Sequence, residues 1–142
     1  MLTHLYKMLS ILLLFQMFTS CELLAQKGMG ELVVRIAELE IDSIHIEEYK
    51  EILKEEAEAS MRLEKGVICI FPMYEKENPL KIKLIEIYAD HKAYENHLKT
   101  PHFLKYKKET LPMVMSLRLV DMEAIDKETM KQIFSKMPAI TN

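Results

Sequence analysis

Proton chemistry is the first thing this sequence offers. His97, His102 and Tyr106 stand close together, and each can give or take a proton. A neutral imidazole accepts a proton near pH 7, and a phenol or guanidinium stabilises negative charge as it develops. Glu86 interrupts the apolar run LIEIY just before Tyr88, where a carboxylate needs a partner. Arg35 and Glu38 sit in the run VVRIAELEI. Each also has an ordinary structural use. His97 beside Leu98 can cap or pack, His102 can serve the first turn of a helix, and Tyr106 at helical spacing from Phe103 can be core. Glu86 is either a pocket acid or half of an ion pair across a dimer, with Arg35 as its partner or on the surface. His91, His97, His102 and Glu86 do not repeat at i, i+4, so no metal site is expected from spacing. Cys69 lies in VICIF, where a buried, inert thiol is expected.

The elements that must carry these residues alternate. Residues 31–41 are rich in β-branched side chains and predict a strand. Asp42 or Ser43 caps a helix running to about Glu64, with Tyr49, Ile52, Leu53, Ala57 and Met61 at helical spacing, and Gly66 suits its exit. Residues 67–74 read as a second strand, which Pro72 assigns to a sheet edge or bulge. Asn78-Pro79 turns into a third strand over 81–89. Asp90 caps a short helix, and Thr100-Pro101 starts the next, ended by Pro112. A fourth strand spans 113–122, and Asp126 opens an amphipathic tail helix with Met130, Ile133, Phe134 and Met137 on one side. The order β-α-β-β-α-β is the ferredoxin-like α+β arrangement, with a C-terminal helical extension. Helices cover one face of such a sheet. On the first strand Arg35, Ala37 and Leu39 share one face, and Ile36, Glu38 and Glu40 the other, so at most one of Arg35 and Glu38 enters any given cavity. With both faces largely apolar, a homodimer with facing sheets, a dimeric α+β barrel, is the economical solution.

The N-terminus reads as an export signal. Lys7 closes a weakly basic segment, and residues 8–18 (MLSILLLFQMF) are too short an apolar run to span a bilayer but suit a signal peptide. Cleavage after Ala25 gives an exported, periplasmic or secreted protein. Alternatively, Phe18-Thr19-Ser20-Cys21 resembles a lipobox and gives a lipid anchor at Cys21. The expected organisation is a signal over 1–25, a linker over 26–30, the domain over 31–122 and a helical tail over 123–142, with no membrane span in the mature chain. A net charge of −3 without a basic cluster gives no footprint for nucleic acid, and the three glycines fit neither dinucleotide nor P-loop spacing.

The segment HLKTPHF (97–103) with Tyr106, preceded by LIEIY (84–88), resembles the antibiotic biosynthesis monooxygenase family, and most closely its quinol monooxygenase branch. Ile36-Ala37-Glu38-Leu39 is similar to the family's first strand, and Gly66 with Pro72-Met73 to its second. The resemblance covers roughly residues 31–120. It implies a dimeric ferredoxin-like protein that oxidises a quinol or electron-rich phenol with O₂, without metal, flavin or haem as cofactor. It also implies His97, His102 and Tyr106 as catalytic candidates, and Glu86, Tyr88, Arg35, Glu38, Phe103 and Met73 around the substrate. Two departures matter. The chain lacks tryptophan, and Tyr88 stands where many relatives carry it. The haem-degrading branch uses an Asn-Trp-His set, whereas His97 and Lys107 occupy the last two places here, which argues against haem degradation. Two other readings remain open: a non-catalytic small-molecule binder, and an isomerase of a small hydroxy-carbonyl compound, since a related branch shares the Thr-Pro-His segment.

Overall fold

The apolar alternation of the first strand decides which side of the sheet is roofed. The computed structural model describes residues 31–136, so the expected signal (1–25), the lipobox cysteine and the linker lie outside it, as does the end of the tail. Its elements are β1 (Val33–Ile41), α1 (Ile46–Leu63), β2 (Val67–Tyr74), β3 (Lys81–Tyr88), α2 (His91–His97), α3 (Pro101–Thr110), a 3₁₀ turn (Leu111–Met113), β4 (Val114–Met122) and α4 (Lys127–Lys136). The four strands form one antiparallel sheet in the order β2-β3-β1-β4. This is the expected ferredoxin-like α+β fold. Pro72 falls on β2, an edge strand, where its missing N–H costs no ladder bond.

Ala37, Leu39 and Ile41 point from β1 into the core, joined by Ile82, Leu84 and Tyr88 of β3 and by Tyr49, Leu53 and Ala57 of α1. The helices stop short of β4. Leu117 and Leu119 pair with Leu39 and Ala37 across the sheet and share their face, yet are 56% and 51% exposed. The floor of the core therefore continues beyond its roof.

Local chemistry sets the helix ends. Asp42 accepts a hydrogen bond from the Ile44 amide in a turn, which postpones α1 to Ile46 and leaves His45 at its N-cap without a side-chain cap bond. Asp90 caps α2 through the Ala93 amide at 2.7 Å, and Thr100 caps α3 through the Phe103 amide with Pro101 in its first turn. Asp126 accepts from the amides of Glu128 and Thr129 at the start of α4. Met137 and the Phe134 side chain lie outside the described residues, so the apolar side expected of that helix is described only in part.

Gly66 has no left-handed backbone, so freedom of φ is not its use here. A Cβ at this position would lie 2.5 Å from the Ala93 Cβ, so the glycine lets α2 approach the start of β2. Gly66→Ala should therefore push α2 outward and cost about 1–3 kcal/mol, the usual range for overpacking. Chemical denaturation beside the parent protein measures it, and an unchanged midpoint would refute the close-approach account.

Candidate active site

Beneath the helices, against β1 and β3, lies a cavity of about 310 Å³ that opens over β4. Its apolar part comes from Ala37, Leu39, Ile70, Leu84 and Phe103, with Leu117 and Leu119 at the uncovered end. Its polar part is Arg35, Glu56, Glu86, Tyr88, Tyr94, His97 and Tyr106, with Lys107 and Thr110.

Six of the residues singled out from sequence meet here: Arg35, Glu86, Tyr88, His97, Phe103 and Tyr106. Strand alternation brings in Arg35, Glu86 and Tyr88, and the break between α2 and α3 brings the other three. The structure places the remaining three elsewhere. Glu38 and Met73 occupy the opposite sheet face, because Glu38 pairs with Lys83 and Arg118, and Met73 pairs with Lys83. Glu38 accepts a hydrogen bond there from Arg118. His102 sits behind His97, with ring centroids 6.4 Å apart, and shares one carboxylate with it.

That carboxylate, Glu64, ends the helical stretch before Gly66 and organises the site. Its Oε1 is 2.9 Å from His97 Nδ1 and 2.6 Å from His102 Nε2. Burial alone would push the Glu64 carboxyl up, but the hydrogen bonds from His97 and His102 outweigh it and hold the group below the usual carboxylate range. An ionised Glu64 accepts only, so His97 donates through Nδ1 and its neutral ring keeps the Nε2 lone pair. This nitrogen is turned toward Glu56, whose Oε1 lies 3.8 Å away. His97 is 3% exposed, packed between the rings of Phe103 (centroids 4.7 Å apart) and Tyr88 (5.3 Å).

The two cavity acids behave oppositely to Glu64. Burial pushes Glu56 and Glu86 up, although the Ser60 hydroxyl donates to Glu56 at 2.7 Å and the Tyr88 hydroxyl to Glu86 at 3.3 Å. Burial also raises the phenols of Tyr88 and Tyr106, so both are neutral donors at ordinary pH. Tyr106 shares a 2.7 Å hydrogen bond with the hydroxyl of fully buried Tyr49. Arg35 is one of the cavity's two basic side chains, beside Lys107. Its guanidinium donates to the Tyr94 hydroxyl at 2.6 Å and to Asp121 of β4 at 2.7 Å. Glu86 stands opposite Arg35 in register, but these contacts turn the guanidinium toward Tyr94 and Asp121. Among the described residues, Glu56, His97 and His102 form a group able to hold a cation, with one donor atom of each within 4.8 Å of the others.

A raised carboxyl has a measurable consequence. Below its unfolded pKa, about 4.3 for Glu, Glu86 is protonated folded or unfolded and contributes nothing. As pH rises past that value the unfolded chain ionises freely while the folded one resists, so the native state loses stability until its own higher pKa is passed. Glu86→Gln should therefore raise Tm at pH 8, by about 4–8 °C for each 1 kcal/mol relieved, and have no effect near pH 4. Melting curves at both pH values test this, and equal shifts would contradict a buried, reluctant acid.

Sequence reading misses Glu56, Glu64 and Tyr94. Glu56 carries a signal: with Ser60 it falls on the stripe of Tyr49, Leu53 and Ala57, and these five are the buried residues of α1. Glu64 carries none, since a charged residue at a helix end is ordinary.

Comparison with known proteins agrees with this architecture. The family model for antibiotic biosynthesis monooxygenase matches residues 32–109. A crystal structure from Bacteroides thetaiotaomicron, provisionally described as an antibiotic biosynthesis monooxygenase, is 47% identical. It aligns over 68% of this chain and 91% of its own, with a TM-score of 0.67. A provisionally described monooxygenase from Lactobacillus acidophilus is 30% identical with a TM-score of 0.62; the match covers 66% of this chain but 46% of that one. A Nitrosomonas europaea protein, at 21% identity and TM-score 0.64, shares the fold. No curated protein gives a significant match. With the family model covering more than half the sequence and a near-complete relative at 47% identity, the chain belongs to the antibiotic biosynthesis monooxygenase family.

Proposed function

We propose that this protein is a cofactor-independent monooxygenase that oxidises a quinol or electron-rich phenol with O₂, with His97 as the base. The observation that carries the reading is the Glu64–His97 pair: a buried imidazole pinned through Nδ1 at 2.9 Å, its other nitrogen left as acceptor beside the cavity. Pockets for small ligands commonly run about 300–1,000 Å³, so a cavity of 310 Å³ selects a small, flat substrate.

In this reading the substrate hydroxyl gives its proton to His97 Nε2. The resulting anion passes one electron to O₂, and the radical pair recombines to a C–O bond in the water-poor cavity. Cleavage of the O–O bond leaves one oxygen on the ring carbon as a carbonyl. The other departs as water, carrying the proton His97 had taken and the hydrogen lost from that carbon. The substrate supplies all four electrons, so no external reductant is needed. Arg35 and the neutral phenols of Tyr88 and Tyr106 stabilise the anion. His102 supports the base through Glu64 and does not touch substrate. An oxygen electrode with a panel of quinols, phenols and anthrones tests the proposal. Substrate-dependent O₂ uptake by chelator-treated protein is expected. Mass-neutral conversion of a hydroxy-carbonyl compound would favour an isomerase, and binding without turnover a binder.

A homodimer belongs to the same reading. Leu117 and Leu119 on one face of β4, and Met115 and Met122 along the same strand, are about half or more exposed, a surface a second copy would cover. Sedimentation of the mature chain should give twice the protomer mass. A monomer at micromolar concentration would leave this strand uncovered and count against the dimer.

A further inference from the structure

We propose that Glu56, His97 and His102 form a binding site for one divalent first-row transition ion, with Glu64 as the carboxylate that orients both rings. Spacing along the chain does not suggest such a site, because the third donor comes from α1 and the histidines from α2 and α3. One donor atom of each of the three residues lies within 4.8 Å of the others, and Glu56 and His97 are buried. His97 Nε2 and Glu56 Oε1 are 3.8 Å apart. A tetrahedral ion with bonds of about 2.0–2.1 Å holds its ligands roughly 3.3 Å from one another, so this pair needs only a small closing motion.

The hydrogen bonds around Glu64 supply the second argument. Metal-binding histidines almost always donate their other ring N–H to a carboxylate or carbonyl, which fixes the tautomer. Glu64 takes the Nδ1–H of His97 and the Nε2–H of His102 with a single oxygen. Each ring thereby keeps a lone pair on its remaining nitrogen. Glu56 faces this pair, and the Ser60 hydroxyl donates to its Oε1 at 2.7 Å. His97 and Glu56 line the cavity, which gives an ion its way in and water a place as a further ligand. An imidazole and carboxylate set without thiolate suits zinc, cobalt, iron or manganese in the divalent state, not copper(I).

The site does not depend on the proposed oxidation, but it competes with it, because the ion takes the His97 lone pair that the base would use. Isothermal titration of the chelator-stripped full chain with ZnCl₂ should show one equivalent bound, and Co²⁺ should give the visible bands of a low-coordinate ion. Glu56→Gln and His102→Gln should each weaken zinc at least about tenfold, and Glu64→Gln by about 10–100-fold. His91→Gln should leave it unchanged, since His91 is an exposed surface histidine beside Glu95. Metal-free melting curves establish that each variant is folded. If His102→Gln fails to fold, Glu56→Gln and the cobalt spectrum of the parent protein decide. Absence of saturable binding, binding untouched in Glu56→Gln, or binding lost in His91→Gln overturns the site. Zinc bound at one equivalent with undiminished O₂ uptake supports the site and removes His97 as base. No zinc binding, together with loss of turnover in His97→Gln, overturns the site and leaves the base in place.

Discussion

His97→Gln should lower kcat for substrate-dependent O₂ uptake by about 10²–10⁴, the range for loss of one general base, while shifting Tm by only a few degrees. The glutamine amide can still donate to Glu64 across the 2.9 Å gap that His97 Nδ1 spans, so the half-buried carboxylate keeps its second partner. It cannot accept a proton from a phenol. His97→Ala should lose the same turnover and stability as well, because Glu64 loses a donor and the rings of Tyr88 and Phe103 lose a neighbour. Leaving a buried polar group short of a partner costs about 1–3 kcal/mol. Tyr106→Phe should show the reverse pattern. It leaves the fully buried Tyr49 hydroxyl without its 2.7 Å partner, so stability falls more than turnover does. Paired kcat and Tm measurements on the three variants separate chemistry from packing. Near-normal kcat in His97→Gln would end the base assignment and leave a binding protein as the better reading.

The fold is legible in the sequence because its local signals agree with one another. Alternation in β1, the Asp90 and Thr100 caps, Pro101 in a first turn and Pro72 on an edge all point to one topology. The same alternation sets Arg35 and Glu38 on opposite faces, and the sheet register puts Arg35 in the cavity and Glu38 outside it. The carboxylate Glu56 of α1 is hidden for a physical reason. The helix is so rich in glutamate that a solvated face is the natural reading, and only its place on the stripe of Tyr49, Leu53 and Ala57 sets Glu56 apart from its exposed neighbour Glu55. Glu64 is less accessible still to such reading. Its importance comes from the α2–α3 break folding back on the end of α1, a contact between residues 33 and 38 positions apart. His102 stands out by its type and its neighbours, but the first turn of α3 aims it at Glu64 and not into the cavity.

Glu64→Gln is the substitution that should expose this hidden layer. The change keeps size and shape but replaces an acceptor-only group with an amide that can also donate. Either amide group can face His97 Nδ1, so the ring is no longer held with Nε2 bare toward the cavity. Turnover should fall by about 10–100-fold, the usual cost of losing an orienting partner, with KM little changed because Glu64 does not line the cavity. Nitrogen-15 NMR of the imidazoles gives a readout that simple loosening would not move. The parent protein should show His97 protonated at Nδ1 alone, and the variant a mixture of tautomers. Stability should respond with a definite sign. The folded pKa of Glu64 lies below its unfolded value, so its contribution is complete above about pH 4.3 and is lost as pH falls through the folded value. The Tm gap between parent and variant should therefore be widest near neutrality and close in strong acid. A gap that stays constant with pH, or a His97 that keeps a single tautomer without Glu64, would mean that this carboxylate neither orients nor charges the site.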